Sequence, residues 1–420
     1  MRQAPAPLHP DTVAVGLGYD PQSCFGAIKP PVVMTSTFAY PSAAAAKEAH
    51  AAYFDGAAPA DGAEAGYIYA RLDNPNLSMV EARLAALDHA EACAAFASGM
   101  AAISATMLAI LRPGDTLLHT RPLYGGTHAL LHGPLSAFGV APVAIADALD
   151  AGSYEAAGEE ALAKGPIGLV LLETPANPTA GLADIALAAH FADAMGGRQD
   201  RRPPVVVDNT FLGPFLQSPL DEGADLTLMS LTKYAGGHSD LLGGSVSGSA
   251  ERIGELKRLR TLLGSPLDPQ SAWLTSRSLE TMHLRTDRAA ANAAAVAAFL
   301  RDHPKVRDVT YLGFLPPGRP ARAVYERQCA GAGSTFSFRI RGGEREAFAM
   351  LDRLRVLRMA VSLGGTETLI CHSATTTHYA VPRPLREEVG VDDSSLRISV
   401  GVEHASDLIA DLARALEAVP

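Results

Sequence analysis

Apolar residues along this chain fall into two alternating patterns. After Asn74-Pro75-Asn76, the residues Leu77, Val80, Leu84 and Leu87 recur at helical spacing and predict a helix ending near His89. Further on, short unbroken apolar runs at Ile167 to Leu172, Val205 to Val207 and Leu226 to Met229 are each followed by small or polar residues. Such runs suit parallel strands covered on both faces, and their alternation with helical stretches predicts an α/β sheet. From Ala92 to Leu111 the chain carries no charge, a length that would cross a bilayer. Ala, Ser, Gly and Thr dilute the stretch and Ser98-Gly99 interrupts it, so the pattern predicts a buried strand, turn and helix and no membrane partner.

The flanks read differently. Residues 1–70 show little sustained period and include the loose stretch from Phe54 to Gly66, so they are expected to form an extended arm. A turn-rich segment at Leu262 to Asp268 precedes a long Ala-rich helical pattern from about Ser271 to His303 and marks the crossing into a second domain. A strand pattern at Ser334 to Ile340, a helix around Glu344 to Leu354 and a final helix from Ala405 to Leu416 follow. The expected organisation is an arm over 1–70, an α/β domain over 71–265 and a smaller α+β domain over 266–420. No repeat of fixed period and no heptad run is found.

Composition narrows the function classes. In 420 residues, 35 Lys and Arg against 45 Asp and Glu leave a net charge of −10, which argues against a nucleic-acid partner. At 48% hydrophobic and 19% charged, the chain has the makings of an ordered core. Cys24, Cys93, Cys329 and Cys371 show no short spacing, which excludes a CxxC redox pair and a Cys-rich zinc site and points to the reducing cytoplasm. The first twelve residues hold Pro5, Pro7 and Pro10 and no apolar segment, so no secretory signal is read there.

Several familiar signatures fail. Gly16-Leu17-Gly18 is followed by Pro21 where a dinucleotide fingerprint needs glycine. The GGSVSG stretch from Gly243 to Gly248 has its serines at the wrong offset for a nucleophile elbow. His372 and His378, six residues apart, lack a metal-binding spacing, and no metal is expected.

One constellation holds up. Ser230-Leu231-Thr232-Lys233 stands just past an apolar run and is followed by Tyr234-Ala235-Gly236-Gly237. Two hydroxyls can hold a phosphate while a desolvated lysine forms a Schiff base with a carbonyl, and glycines admit a ligand closely. Asp208 ends the Val205 to Val207 run. In open α/β sheets ligands sit beyond the carboxyl ends of the strands, so Asp208 and Lys233 are expected to face one crevice. A carboxylate with such a lysine suggests pyridoxal phosphate, whose ring nitrogen must stay protonated to draw electrons.

With these residues in place, the chain resembles the Cys/Met-metabolism family of pyridoxal-phosphate enzymes, which includes methionine γ-lyase, cystathionine γ-lyase, cystathionine γ-synthase and the homoserine-ester sulfhydrylases. The resemblance covers nearly the whole chain through YARLDNPN from Tyr69, ASGMAAI from Ala97, RPLYGGT from Arg121 and ETPANPT from Glu173. It continues through VVVDNTF from Val205, SLTKYAGGHSD from Ser230, SLGGTETL from Ser362 and LRISVGVE from Leu396. It implies the aspartate-aminotransferase-like fold, fold type I, with a mostly parallel central sheet and a smaller C-terminal α+β domain.

The resemblance also implies roles. Ser98, Gly99 and Met100 would bind the cofactor phosphate at a helix start, with Ser230 and Thr232 adding hydroxyls. Tyr124 would stack on the pyridine ring and exchange a proton with the amine or leaving group. Asn177 would bond the ring hydroxyl and Asp208 the ring nitrogen. Lys233 would carry the cofactor and move the α-proton, and Arg397, with Ser362, would hold the substrate carboxylate. Tyr69 and Arg71 would reach the cofactor phosphate of an adjacent subunit, so a homodimer with composite sites, assembling to a tetramer, is implied.

Two departures bear on the subfamily. Gly126 stands where methionine γ-lyases often carry Cys, and Val361 stands where cystathionine-handling members often carry Glu. The implied reaction is γ-elimination on a small amino-acid substrate, giving a 2-oxo acid, ammonia and a thiol. γ-Replacement on O-acetyl- or O-succinylhomoserine is the alternative, and a catalytically silent cofactor-binding protein the remote one.

Overall fold

Unbroken apolar runs form the centre of a seven-stranded sheet in the computed structural model, which describes residues 8–56 and 66–419. Its strands are β1 (Ala92–Phe96), β2 (Thr116–His119), β3 (Ala141–Ala144), β4 (Ile167–Glu173), β5 (Val205–Asp208), β6 (Leu226–Met229) and β7 (Gly244–Gly248), in the order β1-β7-β6-β5-β4-β2-β3. All neighbours are parallel except around β7, which runs antiparallel to both β1 and β6. The GGSVSG stretch is therefore a strand. A side chain at Gly244 would strike the Ser98 carbonyl, so glycine there lets β7 close on the turn after β1.

Both faces of the sheet are covered, and the strands' two-residue period divides their side chains between them. Leu169, Leu171 and Val206 pack with Ala102, Ile103 and Met107 of α4 (Gly99–Ile110) and with Ile253 and Leu256 of α8 (Ala250–Leu263). Val170, Leu172, Val205 and Val207 pack on the opposite face with Tyr154 and Ala157 of α6 (Ala151–Leu162) and Phe191 of α7 (Ile185–Gly196). The short α5 (Gly125–Leu130) follows β2. The predicted strand, turn and helix at Ala92 to Leu111 are β1, Ser98 and α4.

The arm is more ordered than its sequence suggests. It contains α1 (Pro10–Gly16) and α2 (Ala43–Asp55), and the predicted helix after Asn74 is α3 (Pro75–Leu87). Ser42 caps α2 by accepting the Ala45 N–H. Ala49 is the one fully buried residue of α2, so this helix carries no apolar stripe for a periodicity reading to detect. Most of the loose stretch Phe54 to Gly66 lies outside the described residues.

The long helical pattern from Ser271 to His303 is two helices, α9 (Pro269–Leu279) and α10 (Met282–Asp302), broken at Glu280 and Thr281. The Arg285 guanidinium accounts for the break by donating to the Ser278 carbonyl at 2.8 Å and to the Thr281 hydroxyl at 3.2 Å, capping the end of α9. Ala272, Leu279 and Met282 pack with Leu77 and Leu84 of α3, whereas Ala293, Val296 and Leu300 join a separate core. The helix α10 thus spans both cores.

That second core surrounds a five-stranded sheet of β8 (Val306–Thr310), β9 (Thr335–Ile340), β10 (Arg358–Met359), β11 (Leu369–His372) and β12 (Ser395–Ser399), in the order β10-β11-β12-β9-β8. It is antiparallel except between β10 and β11. The helices α11 (Pro320–Gln328), α12 (Glu344–Leu351), α13 (Arg383–Glu388) and α14 (Ala405–Leu416) complete this smaller α+β unit.

Candidate active site

The parallel strands β4, β5 and β6 end on the same edge of the larger sheet, where Glu173, Asp208 and Leu228 form the floor of a cavity of about 510 Å³. Glu173 and Asp208, the final residues of β4 and β5, are paired in register. The volume is in the range of pockets that hold small-molecule cofactors. Twelve sequence-predicted residues line this one cavity: Ser98, Gly99 and Met100 at the start of α4; Tyr124, Asn177 and Asp208; Ser230, Thr232 and Lys233; and Val361, Ser362 and Arg397 from the smaller unit. Tyr69 and Arg71 do not. Tyr69 forms an isolated bridge with Thr37, and Arg71 donates to the Thr261 carbonyl at 2.8 Å.

Local structure explains each placement. Ser98 caps α4 by accepting the Ala101 N–H at 3.0 Å, which leaves the Gly99 and Met100 N–H groups, with no intrahelical acceptor, at the cavity wall. A Cβ at Gly99 would come 3.1 Å from the Ser230 Cβ and Oγ, so the absence of a side chain lets the hydroxyl and the helix start converge on one anion-sized space. The Thr232 hydroxyl accepts the Gly243 N–H at 3.0 Å, tying the lysine loop to the loop before β7.

The lysine itself is mostly enclosed. Its Nζ donates to the Ser362 Oγ at 2.8 Å, and burial, followed by the Arg397 charge, holds its ammonium down at about 8. Ser362 has φ +94°, a left-handed conformation unusual for a non-glycine residue and of the kind found at functional sites. Its carbonyl accepts Arg397 Nη2 at 2.7 Å, and Asn177 Oδ1 accepts Arg397 Nη1 at 3.1 Å. Arg397 is 3% exposed and its Nε is buried without a partner. A buried guanidinium with an open donor and no carboxylate partner among the described residues is suited to receive one from a ligand.

Two carboxyls share the floor. Asp208 Oδ1 accepts the Thr210 N–H at 3.0 Å and the Thr210 hydroxyl at 2.5 Å. Burial pushes the Asp208 carboxyl up, against those two hydrogen bonds, which favour its ionised form. Glu173 accepts the Tyr124 N–H at 2.6 Å on Oε2 and the Asn177 N–H at 2.8 Å on Oε1. Burial, then the neighbouring Asp208, push Glu173 up to about 8.

Glu173 and Thr210 were not singled out from sequence, although both stand inside quoted motifs. Their roles appear only when the register of β4 and β5 and the turn after Asp208 are known. Thr376, Thr377 and Leu242 also line the cavity and gave no sequence signal. Gly126 is tightly enclosed, since a Cβ there would come 2.6 Å from the Tyr124 ring and 2.9 Å from the Met100 Sδ. His372 and His378 are both buried, and no cluster among the described residues is placed to hold a metal ion.

The donor set fits pyridoxal phosphate. Free helix-start N–H groups and the Ser230 hydroxyl suit a phosphate, Asp208 suits a protonated ring nitrogen, and Lys233 suits a carbonyl carbon. Among the described residues no helix is long and apolar enough to cross a membrane, and all four cysteines are free.

Comparison with known proteins agrees with the geometry. Residues 11–417 match the model of the Cys/Met metabolism PLP-dependent enzymes. The chain is 39% identical to an L-methionine gamma-lyase of Pseudomonas deceptionensis over 97% of both chains. It is 38% identical to a cystathionine gamma-synthase of Mycobacterium tuberculosis, covering 97% of this chain and 96% of that one. Among solved structures, a cystathionine gamma synthase from Xanthomonas oryzae pv. oryzae in complex with aminoacrylate and cysteine superposes with a TM-score of 0.87 at 36% identity, covering 98% and 99% of the two chains. A cystathionine gamma-lyase from Lactobacillus plantarum complexed with L-serine gives 0.85 at 34% identity over the same shares. The fold is therefore the fold type I arrangement that the motifs implied. A likeness that runs through the arm, both sheets and the cavity places the chain in the Cys/Met metabolism family of PLP-dependent enzymes, and makes it a pyridoxal-phosphate enzyme of sulfur amino-acid metabolism.

Proposed function

We propose that this enzyme catalyses γ-elimination from methionine or a close analogue, releasing 2-oxobutanoate, ammonia and a thiol. The observation that carries this reading is the charge inventory of the cavity. Among the described residues, Glu173, Asp208, Lys233 and Arg397 are its only Asp, Glu, Lys or Arg lining groups. Asp208, Lys233 and Arg397 each have a use at the ring or at the substrate's α-carbon, and Glu173 is taken up by the Tyr124 and Asn177 N–H groups. The remaining wall around the mouth includes Val361, 55% exposed, and Leu242, 64% exposed. A substrate with a second ammonium and carboxylate on its γ-substituent would lose hydration there without gaining a charged partner, forgoing about 1.5–3 kcal/mol per charge-assisted bond.

Bound pyridoxal phosphate supplies an electron sink for the charge that develops when the α-proton leaves. The chain's own residues do the rest. Ser98, Gly99, Met100, Ser230 and Thr232 hold the phosphate, and Asn177 the ring hydroxyl. Asp208 keeps a proton on the ring nitrogen. Arg397, with Ser362 beside it, would bind the α-carboxylate and fix the orientation of the substrate's Cα. Lys233 Nζ, with its ammonium held near 8, both accepts the α-proton and returns a proton near neutral pH. Tyr124, before α5 and lining the cavity, stacks on the pyridine ring and exchanges a proton with the amine or the departing γ-substituent. Tyr69 and Arg71 complete the phosphate site of an adjacent subunit in a homodimer that pairs into a tetramer, in the cytoplasm.

An acetylated homoserine also has an uncharged γ-substituent, and the 38% identity to a cystathionine gamma-synthase keeps γ-replacement as the second reading. One assay separates them: 2-oxobutanoate release from methionine, cystathionine and O-acetylhomoserine, each with and without sulfide. The proposal expects methionine to lead, and Val361→Glu to move preference toward cystathionine. Cystathionine ahead of methionine by tenfold or more in kcat/KM would contradict it, and homocysteine formed only from the ester plus sulfide would establish the replacement reaction instead.

A further inference from the structure

The peptide after the reactive lysine is gripped from three sides, and none of the grips comes from the strand that leads into it. Tyr234, 6% exposed, places its Oη 3.0 Å from the Ser334 Oγ and 2.7 Å from the Thr335 Oγ1 at the start of β9. Gly364, at φ +76°, packs its backbone over the Lys233-Tyr234 peptide so closely that a Cβ would come 2.7 Å from the Tyr234 nitrogen. The Gly364 N–H in turn donates to the Ser399 Oγ at 2.8 Å, on the strand that carries Arg397. The third grip is Arg285, whose Nη1 donates to the Tyr234 carbonyl at 2.8 Å and whose Nη2 reaches the Ala235 carbonyl at 3.5 Å.

Arg285 is an unusual group to find there. It has no carboxylate partner among the described residues, and burial lowers its guanidinium to about 10. All of its hydrogen bonds go to three carbonyls and one hydroxyl. Gly237, at φ +67°, leaves open the space that the guanidinium fills, since any side chain there would collide with it. A half-buried charge spent on three backbone carbonyls and one hydroxyl stabilises the fold poorly and fixes the path of a loop well.

We infer that Arg285 is a positioning residue for Lys233: from the helix that spans both cores, it holds the Tyr234-Ala235 backbone so that the lysine stays in register with Arg397. The consequence is geometric. The α-carboxylate is bound from β12 and the α-proton is moved by an amine on the loop after β6, two parts of the molecule with separate cores. Proton transfer tolerates about 0.5 Å of misplacement. Fastening the lysine loop to the smaller unit by Tyr234 and Gly364, and to the start of α10 by Arg285, keeps the amine and the guanidinium moving together.

The inference rests on the reading that Lys233 carries the cofactor, and the test separates the two. Holoenzyme with Arg285→Met, Arg285→Lys or Tyr234→Phe is compared with wild type in kcat and KM per bound cofactor. The pH midpoint of the absorption band of the Lys233-bound cofactor and amide hydrogen exchange in residues 231–237 are also measured. Arg285→Met is expected to lower kcat about ten- to hundredfold with KM within about threefold. It should shift the midpoint by about half a pH unit or more and speed exchange in the loop. Arg285→Lys, which keeps one donor for the Tyr234 carbonyl, should recover part of both. A variant whose whole deficit is cofactor content or folded fraction, with kcat per site, midpoint and loop exchange unchanged, overturns the inference. If Arg285→Met does not fold, band midpoint and loop exchange are read in Arg285→Gln, which carries no charge, and unchanged values there overturn it. A wild-type enzyme with no band attributable to Lys233 would sink the underlying reading instead.

Discussion

Replacing Glu173 with glutamine keeps the side chain's shape and removes one acceptor. In the wild type each carboxyl oxygen takes one backbone N–H, from Tyr124 at 2.6 Å and from Asn177 at 2.8 Å. The residue is 6% exposed, so no water replaces a lost bond easily. Glutamine accepts one N–H and turns its own amide donors toward the other. An unsatisfied buried donor costs about 1–3 kcal/mol, which corresponds to about a 5- to 150-fold effect if it is expressed in the transition state. The loss should be larger at high pH. Burial and Asp208 push Glu173 up to about 8, so below that value the wild-type carboxyl carries a proton and resembles the amide. Above it the carboxylate accepts both N–H groups and the amide cannot. The ratio of wild-type to Glu173→Gln kcat/KM, measured from pH 6.5 to 9.5, should therefore climb through about pH 8. A ratio within twofold of unity across the whole range, at equal cofactor content, would refute the clamp on Tyr124 and Asn177.

Three further outcomes follow from the cavity. Gly126→Ala places a methyl group against the Tyr124 ring and the Met100 Sδ, and because Tyr124 is exposed enough to rotate away, the cost should fall on kcat more than on stability; unchanged turnover would show that Tyr124 need not sit where it does. Only the unprotonated Lys233 amine captures pyridoxal phosphate, and with its ammonium held down at about 8 the reactive fraction rises from about a tenth at pH 7 to about half at pH 8. Stopped-flow capture by cofactor-free protein should level off near pH 9, and a rate still rising tenfold per unit beyond that would contradict the depressed value. Arg71, bonded to Thr261 outside the cavity of its own chain, should complement in trans: hybrids of Lys233→Ala and Arg71→Ala subunits should regain one working site per dimer, and verified hybrids with no activity would count against shared sites.

Much of this was legible because buried parallel strands write themselves as unbroken apolar runs, as β4, β5 and β6 do. The chemistry was legible because its residues stand at the ends of those runs or in short motifs. What sequence hid was set by tertiary contacts. The helix α2 buries little beyond Ala49 and so has no stripe, and the break between α9 and α10 depends on Arg285 folding back onto Ser278. Glu173 and Asp208 meet through strand register, across a separation in sequence that no local pattern spans. The grip of Arg285 on Tyr234 joins the start of α10 to the loop after β6, 51 residues apart in sequence, and neither residue shows a signal by itself.

The central claim is that Lys233, in the crevice floored by Asp208 and closed by Arg397, is the residue that holds the cofactor. Borohydride reduction of the yellow holoenzyme followed by peptide mapping tests it directly. The account predicts one pyridoxyl group per chain, on Lys233, with the label abolished by Lys233→Ala. A pyridoxyl group on any other lysine, or none on a protein that retains activity, would contradict it.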